Sequence, residues 1–113
     1  MTGALGIAIR VTRAATVLEL TGELDVVTAS EACRVIGTLI VPSGQSLIID
    51  LSAVTFCDSS GISALLAARN LAVAASAAIA LVNPPENLLR SLSSTGLTDV
   101  LPVYRSVESA EKA

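Results

Sequence analysis

The chain has 113 residues, an apolar fraction of 52% and a net charge of −3 at neutral pH. That length suits one domain whose core buries about two-thirds of the unfolded surface, and the apolar content excludes a disordered chain. The acidic balance, with Phe56 and Tyr104 the sole aromatics, leaves neither a basic footprint nor a stacking platform, so no nucleic-acid partner is expected.

Two strand-like runs open the sequence, Leu5 to Val11 and Thr16 to Thr21, and the polar Thr12-Arg13-Ala14-Ala15 between them suits a hairpin. Gly22-Glu23-Leu24-Asp25 reads as a turn before a helix. Thr28-Ala29-Ser30-Glu31 has the T-x-x-E form of a capping box. Ala29, Ala32, Cys33, Ile36, Leu39 and Ile40 then trace an apolar helical face, closed by Pro42-Ser43-Gly44.

Ser46 to Leu51 is apolar without alternation, as in a strand covered on both faces. A second helix is predicted from the Asp58-Ser59 turn to about Ala75, followed by a buried strand over Ala78 to Val82. Asn83-Pro84-Pro85 ends that strand and starts a third helix, Pro85 to Ser93, with Leu88, Leu89 and Leu92 inward and Gly96 at its C-terminal cap. A short strand over Val100 to Tyr104 and a frayed helical tail over Val107 to Ala113 complete the order ββαβαβαβ(α). Alternating strands and helices imply an α/β fold with a mostly parallel sheet and right-handed crossovers.

The absence of histidine excludes Ser-His-Asp and Cys-His nucleophiles and His-based metal sites. No P-loop, GxGxxG or GxSxG pattern is present. No enzymatic activity, metal or cofactor is expected. Cys33 and Cys57 lack CxxC spacing and read as two buried free thiols. Residues 61–82 are apolar, but Arg69-Asn70 interrupts them and Leu71–Val82 is too short for a bilayer. No basic segment followed by a continuous apolar stretch opens the chain. The reading is a cytoplasmic protein without direct membrane insertion.

The turn Asp58-Ser59-Ser60-Gly61 carries the most chemistry. Asp and Ser are preferred N-caps and Gly eases a tight entry, so it could simply start a helix. Yet two adjacent hydroxyls exceed what a cap needs. The turn also follows a buried strand at its carboxyl end, where open α/β sheets place their sites. Gly22-Glu23-Leu24-Asp25 ends a neighbouring strand, so its carboxylates fall near the same sheet edge. A phosphate on serine here would meet free helix N–H groups and a favourable dipole of about 0.3–1 kcal/mol.

Three segments in order, Leu20-Thr21-Gly22-Glu23-Leu24-Asp25 with Thr28-Ala29, then Leu47 to Leu66, then Leu81-Val82-Asn83-Pro84-Pro85 through Gly96-Leu97, resemble the anti-sigma factor antagonists built on a STAS domain. The resemblance spans nearly the whole chain and implies a single STAS domain over residues 1–113. It implies a mixed, mostly parallel sheet of four to five strands with an N-terminal hairpin and three to four helices. It further implies that Ser59 is phosphorylated by an anti-sigma factor that is also a serine protein kinase. The unphosphorylated form then binds that partner and frees a sigma factor, and a phosphatase acting on phospho-Ser59 resets the system. The interface expected on this basis comprises Glu23, Asp25, Thr28, Asp58, Ser59, Ser60, Gly61 and Ser63. The same family includes STAS accessory subunits of membrane-associated lipid or anion transporters, which is the alternative role. Two departures stand out: the last helix is short, and Cys57 takes a position usually filled by a larger apolar residue.

Overall fold

The computed structural model describes residues 5–112. Strands β1 (Gly6–Val11) and β2 (Ala15–Leu24) form the expected hairpin, and helix α1 (Val26–Ile36) follows. Then come β3 (Ser46–Cys57), α2 (Ser59–Ala74), β4 (Ala78–Val82), α3 (Glu86–Ser94), a 3-10 turn over Leu97–Asp99, β5 (Val103–Tyr104) and α4 (Val107–Glu111). Ala113, the end of the predicted tail, lies outside the described residues.

The five strands lie in the order β1-β2-β3-β4-β5; β1 is antiparallel to β2 and the remaining pairs are parallel. Three successive right-handed crossovers that all step the same way must place their helices on the same side. α1, α2 and α3 accordingly share one face, over a core built from Leu18, Leu20, Leu47, Ile49, Leu65, Leu81, Leu88 and Leu92. On the far face α4 lays Ala110 and Val107 over Val17, Ile48, Ala80 and Val82. Both faces of the sheet centre are therefore covered, as the unbroken apolar runs of β3 and β4 require.

Several elements differ from the sequence reading. Gly22-Glu23-Leu24 is not a turn but the end of β2, which pairs with β3 as far as Leu24–Cys57 through two register shifts. The second shift falls at Gly22, whose φ of +107° only glycine adopts without strain. β3 runs past Leu51 to Cys57, because the irregular pairing hides its period behind Ser52-Ala53. α1 stops at Ile36 with Gly37 as its C-cap, so Leu39 and Ile40 leave the helix; Leu39 stays buried while Ile40 faces solvent. Cys33 is exposed and Cys57 buried, against the expectation of two buried thiols. Leu89 lies partly outward, and β5 retains just two of the five residues expected.

Candidate functional site

β2 and β3 are neighbours, and each runs at its carboxyl end into a helix. Leu24 pairs with Cys57, and the N–H of Asp58 donates to the carbonyl of Leu24 at 3.2 Å. The two helix starts, Asp25-Val26-Val27 and Asp58-Ser59-Ser60, are thereby held side by side. Both are capped by aspartate in extended backbone geometry, with φ of −124° and −102°, as a capping carboxylate requires.

At the first start, Asp25 Oδ1 accepts from the N–H groups of Val27 at 2.9 Å and Thr28 at 3.1 Å. The Thr28 hydroxyl accepts from the Asp25 N–H at 2.9 Å and donates to the Glu23 carbonyl at 2.7 Å. The capping box is thus Asp25 with Thr28, shifted three residues from the predicted Thr28–Glu31 box. Glu31 instead pairs with Arg34 at 2.6 Å on the surface. The N–H of Thr28 holds the Asp25 carboxyl below its ordinary value; burial opposes it, and the N–H of Val27 and the Thr28 hydroxyl add to the lowering. Thr28 is buried and its hydroxyl is engaged within the cap, whereas Val26 and Val27 are 70% and 69% exposed.

At the second start, Asp58 Oδ1 accepts from Ser60 N–H at 2.8 Å and Gly61 N–H at 3.4 Å. Gly61 is buried, and a Cβ placed there would stand 2.3 Å from Cys57 Sγ and 2.9 Å from Leu24 Cγ. Glycine therefore lets α2 seat directly against the ends of both strands. Ser60 is half-buried, while Ser59 and Ser63 are exposed. Ser63 Oγ donates to the Ser59 carbonyl at 3.2 Å, and the Ser59 hydroxyl has no hydrogen bond among the described residues. Burial, with the Asp58 charge in second place, pushes the Cys57 thiol up to about 11, so it remains protonated and inert at neutral pH.

One element of the sequence reading needs correction. The N–H donors of α2 expected to receive a phosphate are already taken by Asp58, which leaves the N–H of Ser59 itself. A phosphate on Ser59 would enter a surface that carries Asp58, with Asp25 and Glu23 at the neighbouring strand end. No lysine or arginine occurs in residues 22–28 or 56–63 to offset it. Glu23, paired with the exposed Phe56 across the strands, is half-buried. Sequence reasoning missed the exposed apolar side chains at these strand and helix ends, Val26, Val27 and Phe56. Its signal was two adjacent valines directly after an N-cap, where one helical face cannot bury both.

The STAS domain family model matches residues 6–110. The chain belongs to the STAS domain family. No curated protein matches it significantly. Among solved structures, it is similar to an anti-sigma factor antagonist from Mycobacterium paratuberculosis at 26% identity and a TM-score of 0.84, covering 99% of this chain and 97% of that one. It is also similar to the phosphorylated form of SpoIIAA, a Bacillus cell fate determinant, at 23% identity and a TM-score of 0.69, over 96% and 98% of the two chains. The STAS domain of a SulP transporter from Vibrio cholerae matches at 23% identity and 0.67, over 90% and 81%. The last two share the fold. The STAS assignment agrees with the resemblance read from the sequence. Among the described residues, no helix is long and apolar enough to cross a membrane.

Proposed function

We propose that this STAS domain is an anti-sigma factor antagonist of the cytoplasm, a binding protein without catalysis of its own, switched by phosphorylation of Ser59. The observation that carries the reading is the Ser59 hydroxyl. It is exposed and, among the described residues, free of hydrogen bonds on the first turn of α2, beside a second helix start that presents Val26 and Val27. The partner is an anti-sigma factor with serine kinase activity, and a phosphatase returns the phosphoprotein to its binding form. In the unphosphorylated state the neutral hydroxyl and the exposed valines can be covered together. The carboxylates of Glu23, Asp25 and Asp58 line the margin, and Thr28 and Gly61 support the surface from beneath.

Phosphorylation adds roughly 1.5–2 negative charges. With the Ser60 and Gly61 N–H groups held by Asp58, one α2 donor, the N–H of Ser59, is left for that charge, and a partner closing over it must desolvate it against carboxylates. A hundredfold loss of affinity requires about 2.7 kcal/mol, within reach of an uncompensated charge placed in an interface.

The test is incubation with ATP and the kinase that co-purifies with the chain, followed by mapping of the phosphate by mass spectrometry. Label is expected on Ser59. Ser59→Ala should bind the partner normally and resist release, and Ser59→Glu should bind weakly. Label confined to other residues, or equal binding by Ser59→Glu and the wild type, would defeat the proposal. Recovery of a transporter ATPase as main partner, with no kinase, would instead assign the chain to a transporter complex.

A further inference from the structure

The two edges of the sheet are unequal. β5 ends it with two residues, a length too short to template another strand, whereas β1 presents six at the opposite edge. Among the described residues nothing covers the outer side of β1. Its side chains Ile9 and Val11 are 50% and 73% exposed, an unusual pairing of open backbone and open apolar surface.

The direction of the free backbone groups follows from the hairpin. Thr12 N–H donates to the Ala15 carbonyl at 2.8 Å, toward β2. Bonding alternates along an antiparallel pair, so Arg10–Val17, Ala8–Glu19 and Gly6–Thr21 are the bonded pairs in the observed register. Ile7, Ile9 and Val11 therefore aim their N–H and C=O groups off the sheet. The same three residues lie on the helix-bearing face, where Ile7 packs against the core. One set of positions thus offers both hydrogen bonds and apolar side chains.

We infer that β1 is a self-association edge, pairing antiparallel with β1 of a second copy to form a continuous ten-stranded sheet centred on Ile9. The register argues for a second copy over an unrelated strand. With Ile9 opposite Ile9, each Ile7 falls opposite Val11, so every cross-strand pair on the helix side is apolar and every outward backbone group finds a partner. On the other face Arg10 falls opposite Ala8, which keeps the two arginines apart. Ala8 is itself paired with Glu19. The second copy's Arg10 thus stands two strand spacings, about 10 Å, from Glu19, with only a methyl group between them. Glu19 already bonds Arg10 of its own chain at 3.5 Å. Each carboxylate would then serve one arginine from each copy, a charge match that the strand makes with itself.

Sedimentation equilibrium over a rising concentration series tests this, with wild type beside Ile9→Pro and Ile9→Lys. The Ile9 N–H points away from β2, so proline removes an intermolecular donor without breaking the hairpin, as edge strands permit. The wild type should move toward twice the chain mass. Both variants should remain single chains with an unchanged circular dichroism spectrum, their dimer Kd raised about tenfold or more. If the proline variant fails to fold, Ile9→Lys decides. A wild type of single-chain mass at every concentration overturns the inference, and so does a dimer that Ile9→Lys leaves intact.

Discussion

The two helix starts at the ends of β2 and β3 solve one physical problem in opposite ways. Each must satisfy N–H groups that have no partner in the helix, and each uses an aspartate to do so. The first start then closes on itself: Thr28 is buried in a reciprocal cap, and what remains outside is the apolar pair Val26 and Val27. The second start uses a glycine to press α2 against the strands, and leaves outside a serine hydroxyl with no hydrogen bond among the described residues. The same aspartate cap thus leaves different groups facing solvent, apolar side chains at one start and a serine hydroxyl at the other.

The largest effect is expected at Gly61. Gly61→Ala should destabilise the fold by roughly 3 kcal/mol, the upper end for an overpacked site, because the new methyl meets both Cys57 Sγ and Leu24 Cγ. Urea unfolding measures this, and a loss under 1 kcal/mol would mean that the strand ends yield easily. At the first start, Thr28→Val keeps the shape of a buried side chain but leaves the Asp25 N–H and the Glu23 carbonyl without their partner. A loss of about 1–3 kcal/mol is expected in the same assay.

The smallest effect concerns acid. The Asp25 carboxyl has a lower value in the folded state than in the unfolded chain. Its contribution to stability is therefore complete above the ordinary carboxylate range and is lost as pH falls through the lowered value. Asn caps nearly as well as Asp, so Asp25→Asn should hold its stability near neutral pH and show a flatter acid limb. Unfolding free energies from pH 7 down to about 2 would reveal it, and an unchanged acid limb would assign that limb to other groups.

What the sequence disclosed and concealed follows from how local the physics is. The Asp58 cap and the start of α2 were legible because a cap depends on a few adjacent residues, and the strand–helix order followed from periodicity in β3, α2 and β4. The Asp25 cap was hidden because Thr28-x-x-Glu31 offers an equally good local pattern, and only the depth at which Thr28 packs decides between them. The length of β3 was obscured by pairing irregularities that shift its period after Leu51. The occupied donors of α2 could not be read at all, since they depend on where the Asp58 carboxylate turns. That detail changes the site most: the donors expected to shelter a phosphate are engaged, and the surface around Ser59 carries carboxylates instead.

On the proposed function, one group, the Ser59 hydroxyl, decides whether this surface can be covered. Titration calorimetry of the purified anti-sigma partner against the chain and against its Ser59-phosphorylated form addresses it directly. Tight binding by the first and an affinity lowered about a hundredfold in the second are expected. Equal affinities for the two forms would contradict it.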